Sequence, residues 1–367
     1  MSHVRHRFAL PLALIALPLG LAWYGATQRS WLPRIRQVYK LPQGGHIASV
    51  QSVHFALDGA TLSTSGFDVN GYPPRQWRRD TFDAGSLEPL RQLKPPSASG
   101  FLTFAPDGKT FVRFAAEPKF MGWDGETGHS ENQLELRDSA TGTLLWSHRE
   151  RDTLPSVPFA TFSPRGNWLA TRADGKVLLK SLSGTQTRSL GGDPTARCVA
   201  FTPDERFLVS GGEAGYLCVW DVTTGKLLHR LMEPIISGNV AEVLRGIGHP
   251  IIGNVAVSPN SALVACMDYS PCVFIWDRES GRLRATLQNG DERVWSLAFA
   301  PQGSLLATGT QNGTIVLWDA LSGNKLRTLA LQPSSSDLSV DTLAWSPDGS
   351  VLVGGYTNGT IARWRIR

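Results

Sequence analysis

Val294-Trp-Ser-Leu-Ala-Phe-Ala-Pro-Gln-Gly303 is followed by Ser-Leu-Leu-Ala-Thr-Gly-Thr-Gln-Asn-Gly313, by Thr-Ile-Val-Leu-Trp-Asp319, by Ala-Leu-Ser-Gly323 and by Asn-Lys-Leu-Arg-Thr-Leu329. Four short runs rich in β-branched and aliphatic residues are split by Pro-Gln-Gly, Gln-Asn-Gly and Leu-Ser-Gly. Gly and Asn supply the positive φ of tight reversals. Apolar runs this short, alternating with turn chemistry, are strands. The stretch is therefore a four-stranded antiparallel meander, a to d. One such sheet cannot cover both of its faces, so it needs neighbours.

The neighbours are in the chain. The turn after strand a recurs as Phe55-Ala-Leu-Asp-Gly59, Phe104-Ala-Pro-Asp-Gly108, Phe162-Ser-Pro-Arg-Gly166, Phe201-Thr-Pro-Asp-Glu205, Val257-Ser-Pro-Asn260, Phe299-Ala-Pro-Gln-Gly303 and Trp345-Ser-Pro-Asp-Gly349. Strand c ends on Trp220-Asp221, Trp276-Asp277 and Trp318-Asp319, with Arg137-Asp138 and Trp364-Arg365 as variants. Asp-x-x-Thr/Ser-Gly follows at Asp138–Gly142, Asp221–Gly225, Asp277–Gly281 and Asp319–Gly323. An Asp opening a Gly-closed turn bonds its own backbone two residues on, which fixes the c–d reversal.

On these motifs the chain resembles the WD-repeat β-propeller family from about residue 34 to its end, most densely in the last four repeats. The resemblance implies an all-β, seven-bladed propeller spanning 34–367. Its blades are anchored near 55–59, 104–108, 162–166, 201–205, 257–260, 299–303 and 345–349. The chain ends soon after Trp364, so blade 7 lacks strand d, while Ile35-Arg-Gln-Val-Tyr-Lys-Leu41 reads as a strand d without a blade. Pairing the two removes two exposed sheet edges at once.

Residues 1–33 read as a separate leader. Phe8–Tyr24 is an uncharged apolar run broken by Pro11, Pro18 and Gly20, near the short limit for a membrane-spanning helix. It fits a cleaved secretory signal with Gly20-Leu21-Ala22 as the cut. It also fits an uncleaved signal-anchor helix with Trp23, Tyr24 and Trp31 in the interfacial belt. The bulky aromatics after the cut favour the anchor. Either route predicts an extracytoplasmic propeller, membrane-anchored through residues 8–24, or secreted or periplasmic after cleavage. A linker spanning at most about 25 Å would then turn the rim carrying the a–b and c–d turns toward the bilayer.

Net charge is +5, from 36 Lys+Arg against 31 Asp+Glu, and the arginines are scattered, which argues against nucleic acid. Cys198 and Cys218 fall on strands a and c of blade 4, too far apart to bridge. Cys266 and Cys272 flank the b–c turn of blade 5, where buried thiols and a cross-strand bridge are both open.

Three stretches are longer than the repeat needs: the b–c loop Gly66–Gln76 of blade 1, the b–c loop Ala115–Gln133 of blade 2, and the connection Met232–Pro250 between blades 4 and 5. In the family all three belong to the rim opposite the a–b turns. A rigid ring that extends one rim uses that rim to bind. Recognition in the family concentrates where strand a begins and just before the b–c turn. Alignment carries this onto Gln51, Arg197, Trp295 and Asp341 in strand a and onto Glu213, Tyr269, Gln311 and Thr357 before the turn. Trp123, in the blade 2 loop, joins them. Trp, Tyr and Arg are frequent interface anchors.

The family's polar network, from a d–a His through Ser/Thr and Asp to the strand-c Trp, is incomplete. Gly45-His46 and Gly248-His249 keep the His, whereas Gly192-Asp193 and Gly290-Asp291 replace it. Asp174 keeps the Asp; Asn312, Asn358, Ala214 and Ser270 replace it. Asp124, Glu126, His129 and Glu131 cluster on one loop, but the spacing matches no calcium or zinc loop. No phosphate-cradling glycine loop, Gly-x-Ser-x-Gly elbow or Cys-x-x-Cys is present.

The sequence therefore predicts a non-catalytic, membrane-tethered scaffold, a monomeric propeller without metal or cofactor, that binds a protein or peptide on its loop-rich rim. Two alternatives stand beside it: a propeller enzyme with a metal or cofactor in its central channel, and an extracytoplasmic carbohydrate-binding module using exposed Trp and Tyr.

Overall fold

The computed structural model describes residues 35–40, 48–56, 58–68, 77–93, 102–117, 130–152, 159–173, 175–184, 186–191, 195–232, 251–331 and 338–366. They form seven four-stranded antiparallel sheets, each a meander of four strands. Six blades take four consecutive strands. The seventh takes Val340–Trp345, Val351–Tyr356 and Thr360–Arg365 and receives its fourth strand, Ile35–Lys40, from the start of the propeller. The expected clasp is present: Ile35 lies opposite Trp364, Val38 opposite Ala362 and Lys40 opposite Thr360. The segment read as a hydrophobic helix lies outside the described residues, as do Leu41, His46, Asp174 and His249. Among the described residues no helix is long and apolar enough to cross a membrane.

Burial follows position within a blade. Strands b and c are covered on both faces by neighbouring blades, so they read as nearly continuous apolar runs rather than alternating ones. Phe207–Gly212 and Val351–Tyr356 are buried at every residue. The outer strand d alternates, as in Leu227–Met232. The cores lie between blades. Ile315 and Leu317 of blade 6 share one with Leu352, Tyr356 and Trp364 of blade 7. Val50, Val53 and Leu62 of blade 1 pack with Val351, Val353 and Ile361 of blade 7, which seals the ring from inside.

The repeated turns are interlocked. In each blade the residue opening the c–d turn donates its N–H to a carbonyl of the same blade's a–b turn, as Val222 to Arg206, Ala320 to Ser304 and Ile366 to Ser350. These two turns therefore share one rim, and the b–c turns and d–a connections form the other. The c–d aspartates act as expected: Asp221 accepts from the Thr224 N–H at 2.7 Å and Asp277 from that of Ser280 at 2.8 Å. A further Asp turn, not read from sequence, is built on Asp83, which accepts from the N–H groups of Gly85 and Ser86. Leu87 takes the left-handed position there, at φ 55°.

Two expected loops are shorter than the sequence suggested. In blade 2, strands Thr110–Glu117 and Ser130–Asp138 continue the hairpin, pairing Ala115 with Gln133 and Glu117 with Glu131. Glu131 is thus a strand residue, and residues 118–129, with Trp123, Asp124, Glu126 and His129, lie outside the described residues. In blade 1 strand b runs on to Asp68, so Gly66 is in the sheet. Paired hairpin backbone forms hydrogen bonds that a loop would leave to water, and the hairpins extend accordingly. All four cysteines are free thiols.

Candidate functional site

The strand-a candidates share a feature that no linear alignment displays. Between strands a and b of blade 4, Ala196 pairs with Gly212 and Cys198 with Gly211, so Arg197 is left over. The register skips Trp295 in blade 6, Asp341 in blade 7 and Gln51 in blade 1 in the same way. Each is the extra residue of a β-bulge, which takes it out of the ladder and, for Arg197, Trp295 and Asp341, re-aims the side chain. The b–c candidates close the same corners. The N–H of Glu213 donates to Thr195 O, that of Gln311 to Arg293 O and that of Thr357 to Ser339 O, each acceptor lying two residues before the bulge. The backbone thus brings 197 with 213, 295 with 311 and 341 with 357.

Blade 5 departs from this pattern. Asn254 pairs directly with Met267 and no bulge forms. The residue aligned with Arg197 is Gly253, and it is covered by Tyr269. A Cβ built on Gly253 would lie 2.5 Å from Cε2 of the Tyr269 ring. Tyr269 itself holds φ 62°, a left-handed conformation unusual for a bulky residue. The Ser270 carbonyl beside it accepts from Val294 N–H at 3.0 Å, which ties this turn to the start of strand a in blade 6. There Tyr269 meets Trp295 edge-on, ring centroids 5.1 Å apart at 62°.

Around this aromatic pair the charges are ordered. Arg197 Nε donates to Glu213 Oε1 at 2.8 Å, an exposed pair worth about 0.2–1 kcal/mol. Asp341 accepts from Ser339 Oγ at 2.8 Å. Burial pushes the Tyr269 hydroxyl above its ordinary value, Cys198 and Asp341 adding to the rise and Arg197 opposing it. Residues of blades 4, 5 and 7 therefore act on one phenol. Trp295 is 37% exposed, and Met232 and Ile251 on the same rim are also exposed. Sequence reasoning missed Gly253 and Ser339. A glycine at the aligned position and a serine two residues before Asp341 were visible, but their roles depend on what packs over them.

At the other end of the strands, a cleft of about 370 Å³ is lined by Phe55, Phe299, Leu343 and Trp345 of blades 1, 6 and 7. Trp345 Nε1 already donates to Ala298 O at 3.1 Å. Among the described residues no group of three or more His, Cys, Asp or Glu is placed to hold a metal ion.

The sequence model of the family described as "WD domain, G-beta repeat" matches residues 184–221, 281–319 and 323–365. Each match runs from strand d of one blade through strands a to c of the next, the offset that the clasp requires. The chain is a WD-repeat β-propeller. This propeller is similar to a "Guanine nucleotide-binding protein subunit beta" of Oryza sativa subsp. indica, 25% identical over 307 residues, 79% of this chain and 74% of the relative. The protein of that name from Arabidopsis thaliana is 25% identical over 297 residues, 76% and 71% of the two chains. "THO complex subunit 6" of Arabidopsis thaliana is 28% identical over 91 residues, 25% of each chain.

Proposed function

We propose that this propeller is a non-catalytic scaffold that binds a protein partner on the rim formed by its b–c turns and d–a connections. The observation that carries the reading is the bulge. Four blades set a residue outside the ladder at one depth of one rim, and they carry a different residue each time. A purely structural position in a repeat would hold one residue type, as the strand-c position of blades 4 to 7 does with Trp220, Trp276, Trp318 and Trp364. Variation at a geometrically fixed site is the mark of a surface adapted to a particular partner. The relatives support a role in assemblies, since their names describe a subunit beta and a complex subunit. The apolar run Phe8–Tyr24 supports a tether to the membrane, with the propeller outside the cytoplasm.

The test is affinity purification of the full chain from solubilised membranes, comparing wild type with Trp295→Ala and with Leu326→Ala on the opposite rim. Loss of a stoichiometric partner with the first variant alone is expected. Retention of every partner in Trp295→Ala, or equal loss in both, would remove the rim from consideration. Protease accessibility in intact cells tests the tether: a propeller digested without membrane disruption is expected, and protection of the propeller would reverse the assigned side.

A further inference from the structure

We infer that the occupant of this rim presents a basic side chain, an arginine or lysine of a protein segment, over Trp295 between blades 5 and 7. This rests on the rim being the binding face, and it adds the chemistry of the partner.

The first observation is the aromatic pair. The hydroxyl-bearing ring of Tyr269 is half-buried and wedged on Gly253, and its contact with Trp295 is edge-to-face. That contact uses one part of the Trp295 surface and leaves the indole exposed, on a residue that the bulge has taken out of the ladder. An indole set edge-to-face against a ring that packs on Gly253 is a preorganised surface. Two ligand types suit it, a flat apolar group or a cation over the π face.

The second observation decides between them. Among the described residues of this rim in blades 4 to 7 there are five carboxylates (Glu213, Asp268, Asp291, Glu292 and Asp341) and three cations (Arg197, Arg293 and Lys40, the last opposite Thr360), a net −2. The whole chain is +5. Charge is therefore segregated, and the face carrying the aromatic pair has the sign opposite to the rest. Arg197 and Glu213 offset each other as a pair, which leaves Asp268, Asp291, Glu292 and Asp341 against Arg293 and Lys40. Asp341 holds the corresponding bulge of the next blade, and Ser296 Oγ donates to Val340 O at 2.7 Å, joining the residues adjacent to Trp295 and Asp341. An exposed indole with a carboxylate on the neighbouring bulge favours a cation over a neutral apolar group, because both attractions strengthen with positive charge. An anionic segment would meet the net negative rim and be repelled.

The experiment uses the full chain with fluorotryptophan incorporated, and the Trp295 resonance assigned by its loss in Trp295→Ala. It is titrated with the blocked tripeptide acetyl-Ala-Arg-Ala-amide and with the analogue carrying citrulline, which keeps the shape and removes the charge. A saturable shift of the Trp295 signal is expected, with the citrulline peptide about 3- to 10-fold weaker. The Asp341→Asn protein, whose Trp295 signal remains, should lose about half of that discrimination on a logarithmic scale. Equal binding of arginine and citrulline peptides would overturn the inference and leave the rim as a binding face. A Trp295 signal silent to both, together with unchanged partners in the affinity purification, would overturn the inference and the rim together.

Discussion

Four buried indoles at one repeat position have two different fates. Trp220 Nε1 donates to Ser210 Oγ at 3.2 Å and Trp318 Nε1 to Thr308 Oγ1 at 2.9 Å. Trp276 Nε1 and Trp364 Nε1 are buried without a hydrogen-bond partner. The register explains the difference: the residues aligned with Ser210 and Thr308 are Cys266 and Gly354, a weak acceptor and no side chain. Ser210→Ala would orphan a third indole and should cost about 1–3 kcal/mol in denaturant unfolding. Tyr356 offers the opposite sign. Its hydroxyl is buried with no partner, and burial pushes it far above its ordinary value. Tyr356→Phe removes a desolvated group and keeps the ring against Trp364, so unfolding should show stability unchanged or raised by up to about 1 kcal/mol. Asp348 reports on pH. Ser346 Oγ, the Ser350 N–H and Ser350 Oγ all bond its carboxylate and hold it at about 2, below the ordinary 3.8. A lowered folded value gives stability that is present above about pH 4 and is lost as pH falls toward 2. Asp348→Ala should therefore be less stable than wild type at neutral pH, with the two unfolding curves converging between pH 4 and pH 2.

Single elements in this propeller are shaped by what the next blade needs. Gly355 in strand b of blade 7 has no room for a side chain, since a Cβ would sit 2.5 Å from Val50 Cγ1 and 2.8 Å from Thr342 Cγ2. Gly309 stands in the same relation to Val340 one blade earlier. These glycines are set by close approach, as their φ values are ordinary. Gly355→Ala should force apart the seam between blades 7 and 1, at a cost of about 1–3 kcal/mol seen in thermal unfolding. Strand d has its own bulges. The register skips Leu90, Leu145, Leu228 and Leu326, and all four are exposed. A bulge in an outermost strand interrupts the row of free backbone groups, which blunts an edge that would otherwise recruit another strand. At the a–b turn, Glu205 takes the glycine position of blade 4 at φ 60° and accepts from Arg165 N–H and Asn167 Nδ2 of blade 3, both at 2.6 Å. In the sequence Glu205 stands only as a variant of the turn motif, and Leu87 belongs to no motif. Their compensation comes from neighbours 40 residues away or from a buried side chain.

The molecule as a whole depends on one strand from the front of the propeller. Ile35–Lys40 pairs along the outer edge of blade 7, opposite residues 360–364. Without it the ring would carry an unpaired edge beside an exposed core. Removing residues 1–40 should lower the thermal midpoint by many degrees and broaden the transition, whereas removing residues 1–34 should leave it near that of the full chain. Val38→Cys with Ala362→Cys joins directly opposed positions. Its oxidised form should resist unfolding more than the reduced form, by on the order of 4 kcal/mol for so long a loop. Failure of the bridge to form in folded protein would contradict the closure.

The seven turns, the missing last strand and the place of its substitute were all legible in the sequence. They are written in local chemistry: glycine and aspartate at reversals, and apolar runs whose length a sheet of this kind dictates. The candidate rim was legible as a set of positions by alignment to the repeat. The bulges that set Arg197, Trp295 and Asp341 outside the ladder were not, because a bulge is a mismatch between two strands and neither strand shows it alone. Nor was the wedge of Tyr269 on Gly253, or the meeting of Tyr269 with Trp295 across blades. Residues 16 and 26 positions apart touch there only because the ring has closed around them, so tertiary structure alone decided which side chains share the site.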